Sequence, residues 1–151
     1  IFFITEGFIG IDPENVSKFL TNFYPNSKNK SVEADFVAPM TWIDVKWLSQ
    51  NGHMIGAHTK SHPVLSSIKQ NQELVAEIVL TADRIETIVE AKINCFAFPF
   101  GTVESVNYDI INIARDRFDI IFSNVRGNVL DSPDRGFIFR HSWMYYLYSN
   151  T

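Results

Sequence analysis

The sequence predicts an α/β fold with parallel strands, and three observations lead there. Short β-rich apolar runs alternate with stretches of helical periodicity along the whole chain. Glycine, proline and capping residues punctuate the ends of these elements. No internal repeat or low-complexity linker interrupts them, so residues 1–151 read as a single domain long enough to bury a core. Periodicity alone leaves an open sheet and a barrel equally possible, because both use the same alternation.

The elements follow in order. "IFFIT" (1–5) is short, apolar and β-rich and ends at "EGFIG". "DPENVSKFLTNF" (12–23) predicts a helix. Asp12 is placed to cap it, Pro13 suits its first turn, and Val16, Phe19, Leu20 and Phe23 share a face. "YPNSKNKSVEAD" (24–35) is polar and turn-rich, an exposed loop. "MTWIDVKWLSQNG" (40–52) carries a capping box at Thr41 and Asp44 and a glycine stop at Gly52. "HMIGAH" (53–58) is a strand. Residues 71–91 form the longest helical pattern, with Leu74, Ile78, Ile85 and Val89 on one stripe and Glu73, Glu77 and Glu86 largely off it. "NCFAFPFG" (94–101) is a strand stopped by Pro99 and Gly101. Residues 104–117 are helical, and "FDIIFS" (118–123) and "GFIFRHSW" (136–143) are further strands.

Composition narrows the function. A net charge of −4 with scattered basic residues argues against a nucleic-acid partner, whose phosphates call for clustered Lys and Arg. The densest basic patch, "KNK" (28–30), reads as a solvated loop. No run approaches the roughly 18 apolar residues of a membrane span. Cys95 is the sole cysteine, and its apolar surroundings mark it as a buried structural thiol.

The chemistry centres on "GAHTKSHP" (56–63), where His58 and His62 stand four apart between a glycine and a proline. That spacing lets two imidazoles converge across one turn, the start of a metal site that still needs a third ligand. Pro63 disfavours a helix at His62, so the pair belongs to a tight loop, which Thr59 and Ser61 hydroxyls are placed to brace. The loop follows a strand, where α/β proteins assemble their sites. "FPFG" (98–101) and Arg140–His141 fall at strand ends on the same rim. His53 lies at the opposite end of its strand and reads as structural.

Four stretches, in this order, resemble the polysaccharide deacetylases, the NodB-homology domain of carbohydrate esterase family 4. "FFIT" is similar to the strand that follows the family's first motif. "LSQNGHMIGAHTKSHPVLSSI" resembles its metal motif with the lead-in strand. "FAFPFG" resembles its third motif in the aromatic form. "FRHSW" is similar to the final strand that bears a leaving-group histidine. The resemblance implies an irregular (β/α) barrel, a divalent metal, commonly zinc, and hydrolysis of N-acetyl or O-acetyl groups on a glycan. Carried over by position, His58 and His62 are metal ligands and Thr59 stabilises their loop. The Phe100 N–H joins an oxyanion hole, Phe98 and Pro99 lie at the substrate, and His141 is a general acid.

The sequence also departs from that pattern. The family's first motif holds adjacent aspartates, a base and a third ligand, and no Asp-Asp pair occurs in the 151 residues. The chain opens on a strand already under way, so the first strand and first motif are expected upstream. Ala97 and Phe98 stand where the family often has an arginine, and Asp116 and Asp119 are poor matches to its Asp-containing fourth motif. The chain by itself is therefore expected to bind metal weakly and hydrolyse little. An exposed sheet edge would invite pairing between copies. The rival expectation is a glycan-binding relative without catalysis.

Overall fold

The computed structural model describes residues 1–23, 38–124 and 137–139. Five parallel strands form one sheet in chain order: β1 (Phe2–Ile4), β2 (Ile55–Ala57), β3 (Cys95–Ala97), β4 (Ile120–Ser123) and β5 (Phe137–Phe139). This order settles what periodicity left open. A doubly wound sheet reverses direction at a switch point, whereas here each strand is laid beside the previous one, as in the wall of a barrel.

The helices are α1 (Pro13–Leu20), α2 (Trp42–Gln50), α3 (Asn71–Val75), α4 (Thr81–Val89) and α5 (Tyr108–Arg117). A π-helical turn, Ala76–Leu80, joins α3 to α4. A 3-10 turn, Thr21–Phe23, prolongs α1. The capping box at α2 is present: the Thr41 hydroxyl accepts from the Asp44 N–H at 3.3 Å, and the Thr41 N–H donates to the Asp44 carboxylate at 2.7 Å. Gly52 takes φ +82 just past the helix end. Asp12 precedes α1, but its carboxylate makes no capping hydrogen bond.

The helix expected from residue 104 begins at Tyr108. Asn107 caps it by accepting from the Ile110 N–H at 3.0 Å, while Ser105 folds back on the Thr102 carbonyl in a turn. The exposed loop expected at 24–35 lies outside the described residues.

Strand alternation divides the sheet into two faces. Ile4, Ala57, Phe96 and Ile121 point to the helices and are buried with Val45, Ile78, Ile85 and Ile110. Phe3, Gly56, Cys95 and Phe122 alternate onto the other face, where the Phe3 and Phe122 rings meet edge to face at 5.2 Å. Gly56 is needed there: a Cβ on it would lie 2.6 Å from the Phe3 ring and 2.8 Å from Cys95 Sγ. Cys95 is fully buried, and burial pushes its thiol up in pKa.

Candidate functional site

The loop from His58 to His62 leaves the C-terminal end of β2 and is tied to elements distant in sequence. On one side the His58 N–H donates to the Ile4 carbonyl at 2.9 Å. The Glu6 and Gly7 N–H groups donate to the Thr59 and Lys60 carbonyls at 3.1 and 2.8 Å. On the other side Glu77 accepts the Lys60 and Ser61 N–H groups and the Ser61 hydroxyl. The Asn22 amide donates to the Ser61 carbonyl at 2.8 Å.

Thr59 is fully buried, and its hydroxyl accepts from the His62 N–H at 3.1 Å. Both Thr59 and His62 adopt positive φ, 64° and 58°, a region that a β-branched residue enters only under strain.

The structure brings the two histidines together, with ring centroids 4.9 Å apart and planes at 73°. His58 Nδ1 lies 2.7 Å from the Ala97 carbonyl at the end of β3. An Nδ1–H donated to that oxygen places the ring's lone pair on Nε2, the arrangement in which an imidazole binds a metal. His62 Nδ1 faces the Asn22 carbonyl at 3.4 Å. Burial holds the His62 imidazole below its ordinary pKa, against the opposing pull of that carbonyl, and so favours the neutral, ligating form. The donor set thus fits a divalent metal of zinc type as far as two ligands go. Among the described residues no group of three or more His, Cys, Asp and Glu is placed to hold a metal ion.

The second segment of the rim is the turn after β3. The Gly101 N–H closes on the Pro99 carbonyl at 2.6 Å, and the Asn124 side chain donates to the Phe100 carbonyl at 2.7 Å. The Phe100 N–H takes part in neither bond. Phe100 itself sits at φ 60°, and its ring meets His62 edge-on at 4.9 Å. Gly101, at φ 63°, could carry no side chain, since a Cβ would come within 2.7 Å of the Asn124 nitrogen.

Phe98 and Pro99, expected at the substrate, are both buried. The Phe98 side chain points to the core with 1% exposure, its ring edge-on to Phe96 at 5.1 Å. Of this motif only Phe100 is partly exposed. His141 lies outside the described residues. His53 is exposed at the far end of β2 against Phe2.

Sequence reasoning missed the aromatic wall: Phe23 stacks on His62 at 4.0 Å and 26°. It missed Glu77 too, visible only as a carboxylate off the apolar stripe. Beyond the loop, a cleft of about 550 Å³ opens between residues 66–74 and the first half of α5, lined by Ser66, Lys69, Asn71, Asn107 and Asn112 among others.

By structure the chain is similar to the BpsB deacetylase domain from Bordetella bronchiseptica, with TM-score 0.59 and 18% identity over 76% of this chain and 52% of that one. A polysaccharide deacetylase from Bacillus cereus gives TM-score 0.57 and 15% identity over 70% of this chain and 33% of the other. The Streptococcus pyogenes deacetylase PplD, in complex with acetate, gives 0.55 and 20% over 71% and 48%. The chain thus spans from 33% to 52% of the length of these structures. Identities this low speak to the fold alone, and they agree with the irregular (β/α) barrel expected from the motifs. No curated protein sequence matches the chain. A match to the polysaccharide deacetylase family runs over residues 2–116, most of the chain and including the His58–His62 loop and the Phe100 turn, and the chain therefore belongs to that family.

Proposed function

We propose that this chain carries part of the active site of a metal-dependent hydrolase that removes acetyl groups from N-acetylated or O-acetylated sugars of a polysaccharide. One observation carries the reading: two imidazoles meet at 4.9 Å on the rim that also bears the Phe100 turn, each with Nδ1 turned to a backbone carbonyl. His58 and His62 would hold the ion, zinc in the first instance. When bound, such an ion supplies Lewis acidity and a water acidified toward neutral pH.

The chain's own residues position and orient the reacting groups. Ala97, through its carbonyl, fixes the His58 tautomer, and Phe23 and Phe100 restrict the His62 ring. The Phe100 N–H, in a turn rigidified by Pro99 and Gly101, donates to the acyl oxygen as it gains charge. His141 gives a proton to the leaving amine, which departs poorly without one. The cleft lined by Asn71, Asn107 and Asn112 offers amides to the hydroxyls of a neighbouring sugar.

A second reading is glycan binding without hydrolysis. The 151 residues hold no Asp-Asp pair, and such a pair preceding Phe2 would support the enzyme, while a preceding strand without one would support the binding module.

Calorimetric zinc titration of the chain, of His58→Ala and of His62→Ala tests the metal reading, with acetate release from an N-acetylated oligosaccharide measured alongside. Each substitution is expected to weaken zinc binding by roughly tenfold or more. Zinc binding that is absent, or unchanged in both variants, overturns the reading. Binding of the oligosaccharide without acetate release selects the second.

A further inference from the structure

The loop's hydrogen bonds point beyond the two imidazoles to the residue that holds them. Glu77 is the first residue after Ala76 in the π-helical turn between α3 and α4. Its Oε2 accepts two successive N–H groups, Lys60 at 2.9 Å and Ser61 at 2.9 Å, and its Oε1 accepts the Ser61 hydroxyl at 2.7 Å. Two neighbouring N–H groups converging on one oxygen form the concave backbone nest that proteins use to bind anions. Here the anion is built in. The nest exists because Thr59 and His62 take positive φ on either side of Lys60 and Ser61.

The π turn explains how a helix residue reaches the loop. Leu74, Ile78 and Ala82 are buried at strict four-residue spacing. An α-helix of 3.6 residues per turn would carry such a row steadily off the core. One wider turn absorbs the drift, and the Thr81 hydroxyl steadies it by donating to the Ala76 carbonyl five residues back at 3.2 Å. Glu77 thereby faces the loop while its neighbour Ile78 stays in the core. Single π turns of this kind recur at functional sites.

We infer that Glu77 is a positioning residue for the histidine pair: by bonding Lys60 and Ser61 it fixes the backbone that sets His62 against His58. It acts through the reach of its side chain and the acceptor oxygens of its carboxylate. The inference rests on the metal reading for its use, but the clasp itself is a property of the metal-free chain.

Two conservative variants separate reach from charge without deleting a partly buried group. Glu77→Gln keeps the length and an acceptor oxygen and loses the charge. Glu77→Asp keeps the charge and falls one methylene short. Amide hydrogen exchange at Lys60 and Ser61, and the His62 tautomer from nitrogen-detected NMR, are read on metal-free protein; zinc affinity is read by calorimetry.

Glu77→Asp is expected to speed exchange at both amides by about tenfold or more and weaken zinc binding by ~10–100-fold, the usual effect of losing a supporting partner. Glu77→Gln, which keeps the length and one acceptor oxygen, is expected to fall between the parent and Glu77→Asp in both. The inference is overturned if Glu77→Asp leaves exchange and tautomer unchanged, or if Glu77→Gln is as damaging as Glu77→Asp. Should no form bind zinc, the metal reading fails while exchange and tautomer still decide the clasp.

Discussion

Replacing Gly56 by alanine tests how the site strand is packed, and the structure sets the size of the effect. The new Cβ would meet Phe3 Cε1 at 2.6 Å, Phe3 Cδ1 at 2.7 Å and Cys95 Sγ at 2.8 Å. Relaxed carbon contacts lie near 3.5–4.0 Å, so each neighbour must retreat by about 1 Å. Neither is free to do so. Phe3 stands on β1, whose ladder to β2 is fixed by register, and its ring is lodged between Phe122 at 5.2 Å and His58 at 6.3 Å. Cys95 is on the adjoining strand and fully buried.

Overpacking of this kind costs ~1–3 kcal/mol, and three close contacts at a position with no slack put Gly56→Ala near the top, at about 2–3 kcal/mol. For a chain of this size that lowers Tm by roughly 5–10 °C. Thermal and urea denaturation of four proteins would measure it: the parent, Gly56→Ala, Phe3→Ala and the double variant. Two of the three contacts belong to Phe3, so in the Phe3→Ala background the same change is expected to cost under about 1 kcal/mol. A neutral Gly56→Ala, or one equally costly in both backgrounds, would show that the glycine is not there to admit the Phe3 ring.

Two further outcomes are expected. The folded pKa of His62 is depressed by burial, so the unfolded chain takes the proton first. Stability of the metal-free protein is then fully present above the ordinary histidine value and lost as pH falls from about 6.5 toward the folded pKa. Denaturation midpoints from about pH 7.5 to pH 5 should show this loss, and His62→Asn should reduce it; a profile that does not respond refutes the assignment. Glu90 ends α4 at φ 56°, a left-handed conformation that costs a side chain ~1–2 kcal/mol. Glu90→Gly is expected to be more stable than Glu90→Ala by about 1 kcal/mol in urea denaturation, since both lose the exposed Lys46 pair and only glycine relieves the backbone. An alanine variant as stable as the glycine one would contradict this.

Much of the framework was legible because it depends on local rules. The Thr41–Asp44 box, the Gly52 stop and the strand–helix alternation each follow from a few adjacent residues. The helix expected from residue 104 starts at Tyr108 because the Ser105 hydroxyl bonds the Thr102 carbonyl in a competing turn and Asn107 supplies the cap. The π turn was not legible: a carboxylate off an apolar stripe looks the same whether it faces water or a loop. The histidine pair was visible as a spacing, but the groups that orient it were not. They are the Ala97 carbonyl, the Asn22 carbonyl and the Phe23 ring, each 39 or 40 positions from the histidine it touches. Any residue type supplies a carbonyl, so no sequence signal marks it. Phe98 and Pro99, which the motif sets at the substrate, are both buried, a property that motif matching does not report.

The described residues with positive φ other than glycine are four, and three of them, Thr59, His62 and Phe100, lie on this rim. Each such residue costs on the order of 1–3 kcal/mol, a debt that only surrounding contacts can offset. The loop has them. From His58 to His62 its peptide groups are engaged by Ile4, Thr5, Glu6, Gly7, Asn22 and Glu77 as well as by Thr59. At a net ~1 kcal/mol for an ordinary bond, and more for those to the carboxylate, these are of the size needed to hold the strain. The geometry is therefore set before any ligand arrives, and little ordering remains to oppose binding. If the chain by itself binds zinc weakly, the reason lies in the number of donors it brings and not in a loose loop. Amide exchange across residues 59–62 that is already slow in metal-free protein, and barely changes when zinc is added, is the behaviour this argument requires.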